Sequence, residues 1–282
     1  MRVRKVPATT VWLDHAKPFI RYFPAILLGV LFLFPYLWLI LTSFKTRVQA
    51  QHWPPVWYFA PILDNYYQAF VTGPFLPNLM NSAFVAFGST VVAVSLALPC
   101  AYVLSQLRIP GERHYLFYLL STRMIPPVSL AIPLYSIYNN FGLRDTLPGL
   151  AIAHATFNIP FAVLMLKGFY DAIPKDLIHA ARLDGIGHWI ILTRITRVFV
   201  KPGVAATAVF CFIFSWNDFF FAKVLVDQHG TLPIAILGLD TVHGTKWGQL
   251  AAVCSVITFP LIIFAWSVQR YILRGLTYGL VK

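Results

Sequence analysis

Acidic side chains are scarce in this sequence: ten Asp and Glu among 282 residues, with charged residues of both signs making up only 11% of the chain. An average soluble domain carries about 25% charged residues, so a water-facing globule of this size would lack the polar side chains to cover itself. Cysteine is equally rare. Cys100, Cys211 and Cys254 fall inside apolar stretches and lack metal-type spacing, which argues against a disulfide framework and leaves them as small core residues. A phosphate-cradling GxxxxGK(S/T) is missing, so the chain is not its own P-loop ATPase. Neither HExxH nor a paired cluster of His and carboxylate stands in the apolar stretches, and His154, with no metal co-ligand, reads as a satisfied core histidine.

What the chain has in abundance is hydrophobic side chains, 58% of all residues. A hydrocarbon core of about 30 Å needs about 20 helical residues to cross it. Windows of that kind fall near residues 24–44, 81–106, 115–138, 147–169, 203–225 and 249–273. The sequence therefore predicts a cytoplasmic segment over 1–23 and a single integral membrane domain over 24–282. No internal repeat points to duplicated halves. The first window follows a basic leader, yet its apolar core is too long for a signal peptide and no small-residue cleavage site follows, so it reads as a retained anchor.

The net charge of +12 is informative through its distribution. With the N-terminus inside, the 22 Lys and Arg fall on the cytoplasmic side apart from Lys45, Arg47, Arg144 and Lys246 outside and Arg123 and Lys223 in or beside spans. That is the positive-inside pattern with both termini cytoplasmic. Basicity then reports orientation, and a nucleic-acid partner is not needed to explain it.

Most spans contain proline, and the third, STRMIPPVSLAIP, holds three. Each removes a backbone donor, tolerated in a membrane only where neighbours or a watery cavity satisfy the freed groups, so this span is expected to line a pathway. Arg123 and Asp218 are the clearest ionisable residues at membrane depth, where a charge needs a reason. They could form an ion pair between spans three and five, line a polar pathway, or find separate partners. A sugar demands paired hydroxyl contacts and aromatic faces, and Arg123, Asn158, Trp216, Asn217 and Asp218 are the residue types required, although the aromatics are individually common as packing.

Between the fourth and fifth spans lies DLIHAARLDGIGHWIILTRITRVFVKPG. Pro174 can start a helix, Asp176 suits its positive end, and Gly185 can close it in the left-handed conformation, so a coupling-type helix is expected at about 174–187. Leu177, Ala180, Ala181 and Asp184 share roughly one face, and His179 and Arg182 another. After the glycines, HWIILTRITRVFVK reads as a second helix lying at the membrane surface, with Arg194, Arg197 and Lys201 on one stripe and Ile191, Ile195 and Val198 on another. On composition alone, the insert is either a docking element or an amphipathic linker.

This insert resembles the EAA loop of ABC importer permeases, whose pattern is Glu-Ala-Ala, three residues, Gly, nine residues, Ile, one residue, Leu-Pro. Ala180, Ala181, Gly185 and Ile195 match, and Asp184 and Lys201-Pro202 look like the carbohydrate branch. His179 stands where Glu is usual, and Arg197-Val198 replaces Leu-Pro. SFK, LDNYYQAF, GFYDAIPKDL, SWNDFFFA and QRYILRGLTYGLVK, in that order, extend the resemblance to the MalG-type permease of sugar and polyol importers over nearly the whole chain.

The resemblance implies an all-α integral membrane protein of six transmembrane helices with a cytoplasmic EAA-type coupling helix between helices 4 and 5. It further implies a bacterial inner-membrane location and a second, MalF-like permease as heterodimer partner. Two ATP-binding subunits would carry ATP and Mg, an extracytoplasmic solute-binding protein would deliver the sugar or polyol, and this chain would hold no cofactor or metal. Leu177, His179, Ala180, Ala181, Arg182, Asp184 and Gly185 would then meet the ATPase. The residues alone leave two other readings, an ion-gradient carrier using Arg123 and Asp218 and an intramembrane enzyme using His154.

Overall fold

A computed structural model describes residues 8–107, 109–241 and 244–278, with side chains described over 22–107, 109–241, 244–267 and at 269. The expected cytoplasmic segment at 1–23 lies mostly outside the described side chains. The chain opens with α1 (Ala8–Ser43), followed by the short helices α2 (Arg47–Gln51) and α3 (Asp64–Phe70) and then by α4 (Phe75–Gln106). After it come α5 (Glu112–Met124), α6 (Pro127–Asn140) and α7 (Leu147–Asp171). The insert holds α8 (Lys175–Leu183) and α9 (His188–Ile190), and a π turn at Ile191–Ile195 leads into α10 (Arg197–Trp216). The remainder is α11 (Phe220–Leu225), α12 (Leu232–Leu237), an antiparallel pair β1 (Asp240–Thr241) and β2 (Gly244–Thr245), and α13 (Trp247–Tyr278).

Among the described residues five helices are long and apolar enough to cross a membrane, and a sixth span exists if α5 and α6 count as one. The centre is α4 against α7, with α10 packed on both. Small residues allow that approach: Ala86, Ala93, Ala97 and Ala101 on α4 and Ala151, Ala155 and Ala162 on α7 are buried. Helices in lipid gain no hydrophobic advantage from association, so close packing by small side chains and interhelical hydrogen bonds must hold them. The Ser89 and Ser215 hydroxyls, 2.7 Å apart, join α4 to α10 in this way. By contrast, α1 packs mainly on α13, through contacts such as Tyr36 Oη donating to the Ser255 carbonyl at 3.5 Å, and its residues 22–35 are exposed.

Two expected spans are interrupted. The third bends by 93° between α5 and α6. The cause lies in Pro126 and Pro127, which donate no hydrogen bonds, and in the residue before a proline being driven out of the helical region: Ile125 sits at φ −68°, ψ 123°. The fifth ends at Trp216 and a short helix starts at Phe220, where the Asp218 carboxylate accepts the Ala222 amide at 3.2 Å. It also starts earlier than the apolar run, since α9, the π turn and α10 run on from one another. The expected second helix is therefore continuous in sequence with the fifth span. Because Thr196 N–H reaches back five residues to Ile191 C=O at 2.9 Å, the inward stripe passes through Ile191, Thr196 and Val200, and Val198 is exposed.

Candidate functional site: the capped insert and the polar seam

At α8 the backbone closes with both bonds of a Schellman motif. Ile186 N–H reaches Ala181 C=O at 3.0 Å and Gly185 N–H reaches Arg182 C=O at 3.1 Å, with Gly185 at φ +76°. A side chain at Gly185 would strain that turn, which explains the glycine. Ile186 then joins Leu177, Ile178 and Ala181 against a cluster containing Tyr102 of α4 and Leu166 and Tyr170 of α7. Beyond the turn, Tyr102 Oη and His188 Nδ1 lie 2.9 Å apart, so the insert is seated on the bundle at both its helices.

This seating divides the residues that the spacing had grouped on one face. Ala181 is only 6% exposed and Leu177 is half-buried, so both face this chain's own core. His179, Ala180, Arg182 and Asp184 face outward, joined by Leu183, which is 89% exposed, and Trp189. Leu183 and Trp189 were not expected at the docking face; a leucine one turn after Ala180 in an otherwise polar stretch was the available sequence signal. Nearby, Lys167 bonds Glu112 at 3.1 Å and Asp171 at 2.9 Å, while Ser105 Oγ donates to Asp171 at 2.6 Å, tying α4, α5 and α7 together at the same end of the bundle.

The residues expected along a pathway are likewise separated. Asn158 is buried, donating through Nδ2 to Ser215 Oγ at 2.9 Å and to the Cys211 carbonyl at 3.2 Å, so it fastens α7 to α10. Trp216 is also buried, stacked on Phe212 with ring centroids 5.3 Å apart. Arg123 and Asn217 are exposed, and Asp218 is partly buried. Arg123 and Asp218 do not pair. Arg123 donates to the Phe157 carbonyl at 2.9 Å with its guanidinium 5.7 Å from the Phe161 ring and 5.3 Å from that of Phe214. Asp218 instead accepts from the buried His154, whose Nε2 lies 3.0 Å from its carboxylate. His154 is thus a partnered core residue, and no three His, Cys, Asp or Glu among the described residues gather as metal ligands would.

At the opposite end from α8, Asp145 takes φ +55° and its Oδ1 accepts the backbone N–H groups of Asp227 and Gln228 at 2.9 Å and of His229 at 3.3 Å. Partial burial alone would raise this carboxyl, but the amides and His229 outweigh it and hold its pKa down at about 2. Arg144 pairs with Asp227 beside it and lies over the Tyr135 ring. The loop before α7 is thereby clasped to the loop after α11.

Five helices long and apolar enough to cross a membrane, a sixth pass if α5 and α6 count as one, and an amphipathic insert seated on the bundle define a multi-pass helical membrane fold. The fold agrees with a solved one: a bacterial ABC transporter involved in the import of the acidic polysaccharide alginate superposes with a TM-score of 0.73 over 95% of this chain and 99% of that one, at 21% identity. Residues 93–278 match the model of the binding-protein-dependent transport system inner membrane component, and the chain belongs to that family of ABC transporter permeases. It is 35% identical over 256 residues to the probable ABC transporter permease protein y4oR of Sinorhizobium fredii, covering 90% of this chain and 92% of that one. Similar in sequence are the trehalose/maltose transport system permease MalG of Thermococcus litoralis, at 32% over 92% and 94% of the two chains, and the trehalose transport system permease SugB of Mycobacterium tuberculosis, at 36% over 78% and 81%.

Proposed function

We propose that this chain forms half of the translocation pathway of a sugar or polyol importer and is driven by an ATPase docked on α8. A second, MalF-like permease completes the pathway, two ATP-binding subunits hold ATP and Mg, and an extracytoplasmic solute-binding protein delivers the substrate. The observation that carries the reading is the division of α8. Ile178 and Ala181 root it in the core formed by α4 and α7, while Ala180 and Leu183 stand clear, as a lever between an external partner and the spans must. The clustering of Lys and Arg at the α8 end supports a cytoplasmic location for that end and for both termini. Trehalose and maltose relatives support the carbohydrate class.

An ion-gradient carrier would need Arg123 and Asp218 to exchange partners during transport. That reading loses its support here, because each is engaged separately, Arg123 by a backbone carbonyl and two rings and Asp218 by His154. Arg123 and Asn217 remain the exposed polar groups from which a pathway contact would come. The test is cross-linking in inverted membranes: cysteines at Ala180 and Leu183 should capture the ATPase and one at Ala181 should not. Failure of both outward positions to capture it would defeat the coupling role.

A further inference from the structure

At the end of α1 away from α8, Lys45 is enclosed to 2% exposure. Its Nζ lies 4.2 Å over the Trp38 ring and 5.3 Å from that of Phe59. No carboxylate or hydrogen-bond acceptor meets that ammonium among the described residues, although aromatic rings replace only part of a cation's hydration. The stem is fixed: Asn65 Nδ2 donates to both the Ser43 and Lys45 carbonyls at 2.8 Å. Lys45 lines a cavity of about 360 Å³ together with Trp38, Gln49, His52, Trp53 and Trp247. The cavity holds one positive charge with no carboxylate beside it among the described residues, ringed by amide, imidazole and indole groups.

The cavity opens where a span ends. Helical spacing puts Leu27, Leu31, Phe34, Trp38 and Leu41 on one face of α1, Lys45 follows in the turn just past its end, and Leu27, Leu31 and Phe34 are exposed. From Phe34 to its end at Ser43 the helix rises about 14 Å at 1.5 Å per residue, close to the depth of one leaflet in a hydrocarbon core of about 30 Å. Tryptophans cluster at such a boundary because their rings suit headgroup depth. We infer that this cavity is a binding site for an anionic phospholipid, its phosphate on Lys45 and an acyl chain along the Phe34 face of α1. A lipid satisfies both halves of the surface at once, the unpaired cation above and the uncovered apolar column below. The inference rests on membrane insertion and not on which substrate is carried.

The full chain, purified with its partner subunits into nanodiscs, provides the test through native mass spectrometry of retained lipid. Phosphatidylglycerol should be retained at least tenfold more by the unaltered protein than by Lys45→Gln, with Lys45→Arg close to the unaltered protein and Lys246→Gln unchanged. Trp53→Ala, at an exposed rim position, should lower retention several-fold and serves if Lys45→Gln does not fold. Phosphatidylcholine retained as well as phosphatidylglycerol would overturn the assignment. So would unchanged retention in Lys45→Gln or in Trp53→Ala. Displacement of the lipid by millimolar inorganic phosphate would point to a free-anion site, and loss of solute-binding-protein docking in Lys45→Gln with lipid intact would point to a protein carboxylate; either result overturns the lipid.

Discussion

Replacing Ile178 and Leu183 separately by alanine tests the division of α8, because the two residues lie five apart on the insert and their surroundings are opposite. Ile178 is 3% exposed within the cluster of Tyr102, Leu166 and Tyr170, so Ile178→Ala removes buried volume and should destabilise the permease by about 2–5 kcal/mol. Leu183 touches little of its own chain, and Leu183→Ala should change stability by less than about 0.5 kcal/mol. If Leu183 enters a cleft on the ATPase, its loss instead forfeits about 1.5–3 kcal/mol of binding, roughly a 10- to 150-fold weaker association. Thermal unfolding of each variant in nanodiscs, paired with titration of the purified ATPase subunit, separates the two effects. Equal destabilisation by the two substitutions would refute the assignment of faces. An unaltered ATPase affinity in Leu183→Ala would refute the docking role while leaving the fold untouched.

Other substitutions examine the rest of the molecule. Gly203 abuts the Phe169 ring so closely that a Cβ would overlap it, so Gly203→Ala should cost about 1–3 kcal/mol by forcing α10 from α7, seen as a lowered Tm. Asn158→Ala removes two interhelical bonds and should cost about 0.6–1.7 kcal/mol on unfolding, with sugar affinity unchanged because the side chain is buried; a selective loss of affinity would return Asn158 to the pathway. Since the Asp145 carboxyl is held down at about 2, below the ordinary value of about 3.9, the clasp it makes is fully present above pH about 4 and is lost as pH falls through about 2. The protection of the amides of 227–229 against hydrogen exchange, taken relative to the intrinsic rate at each pH, should fall over that window, and Asp145→Ala should show the lower protection already at neutral pH. Asn217→Leu, at an exposed position whose only described side-chain bond is to its own helix, should leave assembly intact and slow transport; an unchanged rate and affinity would remove it from the pathway.

Much of this was legible in the sequence, for physical reasons that act locally. Length and apolarity located the spans, Pro174 and Gly185 bracketed the insert helix, and the order of motifs along the chain pointed to the permease family to which it belongs. Spacing by threes and fours was less reliable. It grouped Ala181 with Ala180, although α8 turns one toward Tyr170 and the other toward solvent, and it carried a stripe through Val198 that the π turn displaces. Spacing describes a regular helix and not the direction in which the helix is seated.

The sequence by itself determined that the chain inhabits a bilayer, how many times apolar segments recur, and where its backbone must break, because hydropathy, proline and glycine act on their own neighbourhoods. Only the tertiary structure decided which polar groups meet. Asp218 found His154 and not Arg123, Asn158 became a fastening between α7 and α10, and Lys45 was enclosed by rings with no carboxylate beside it among the described residues. Those partnerships depend on distances between helices far apart in the chain, set by the close approach that small side chains on α4 and α7 permit.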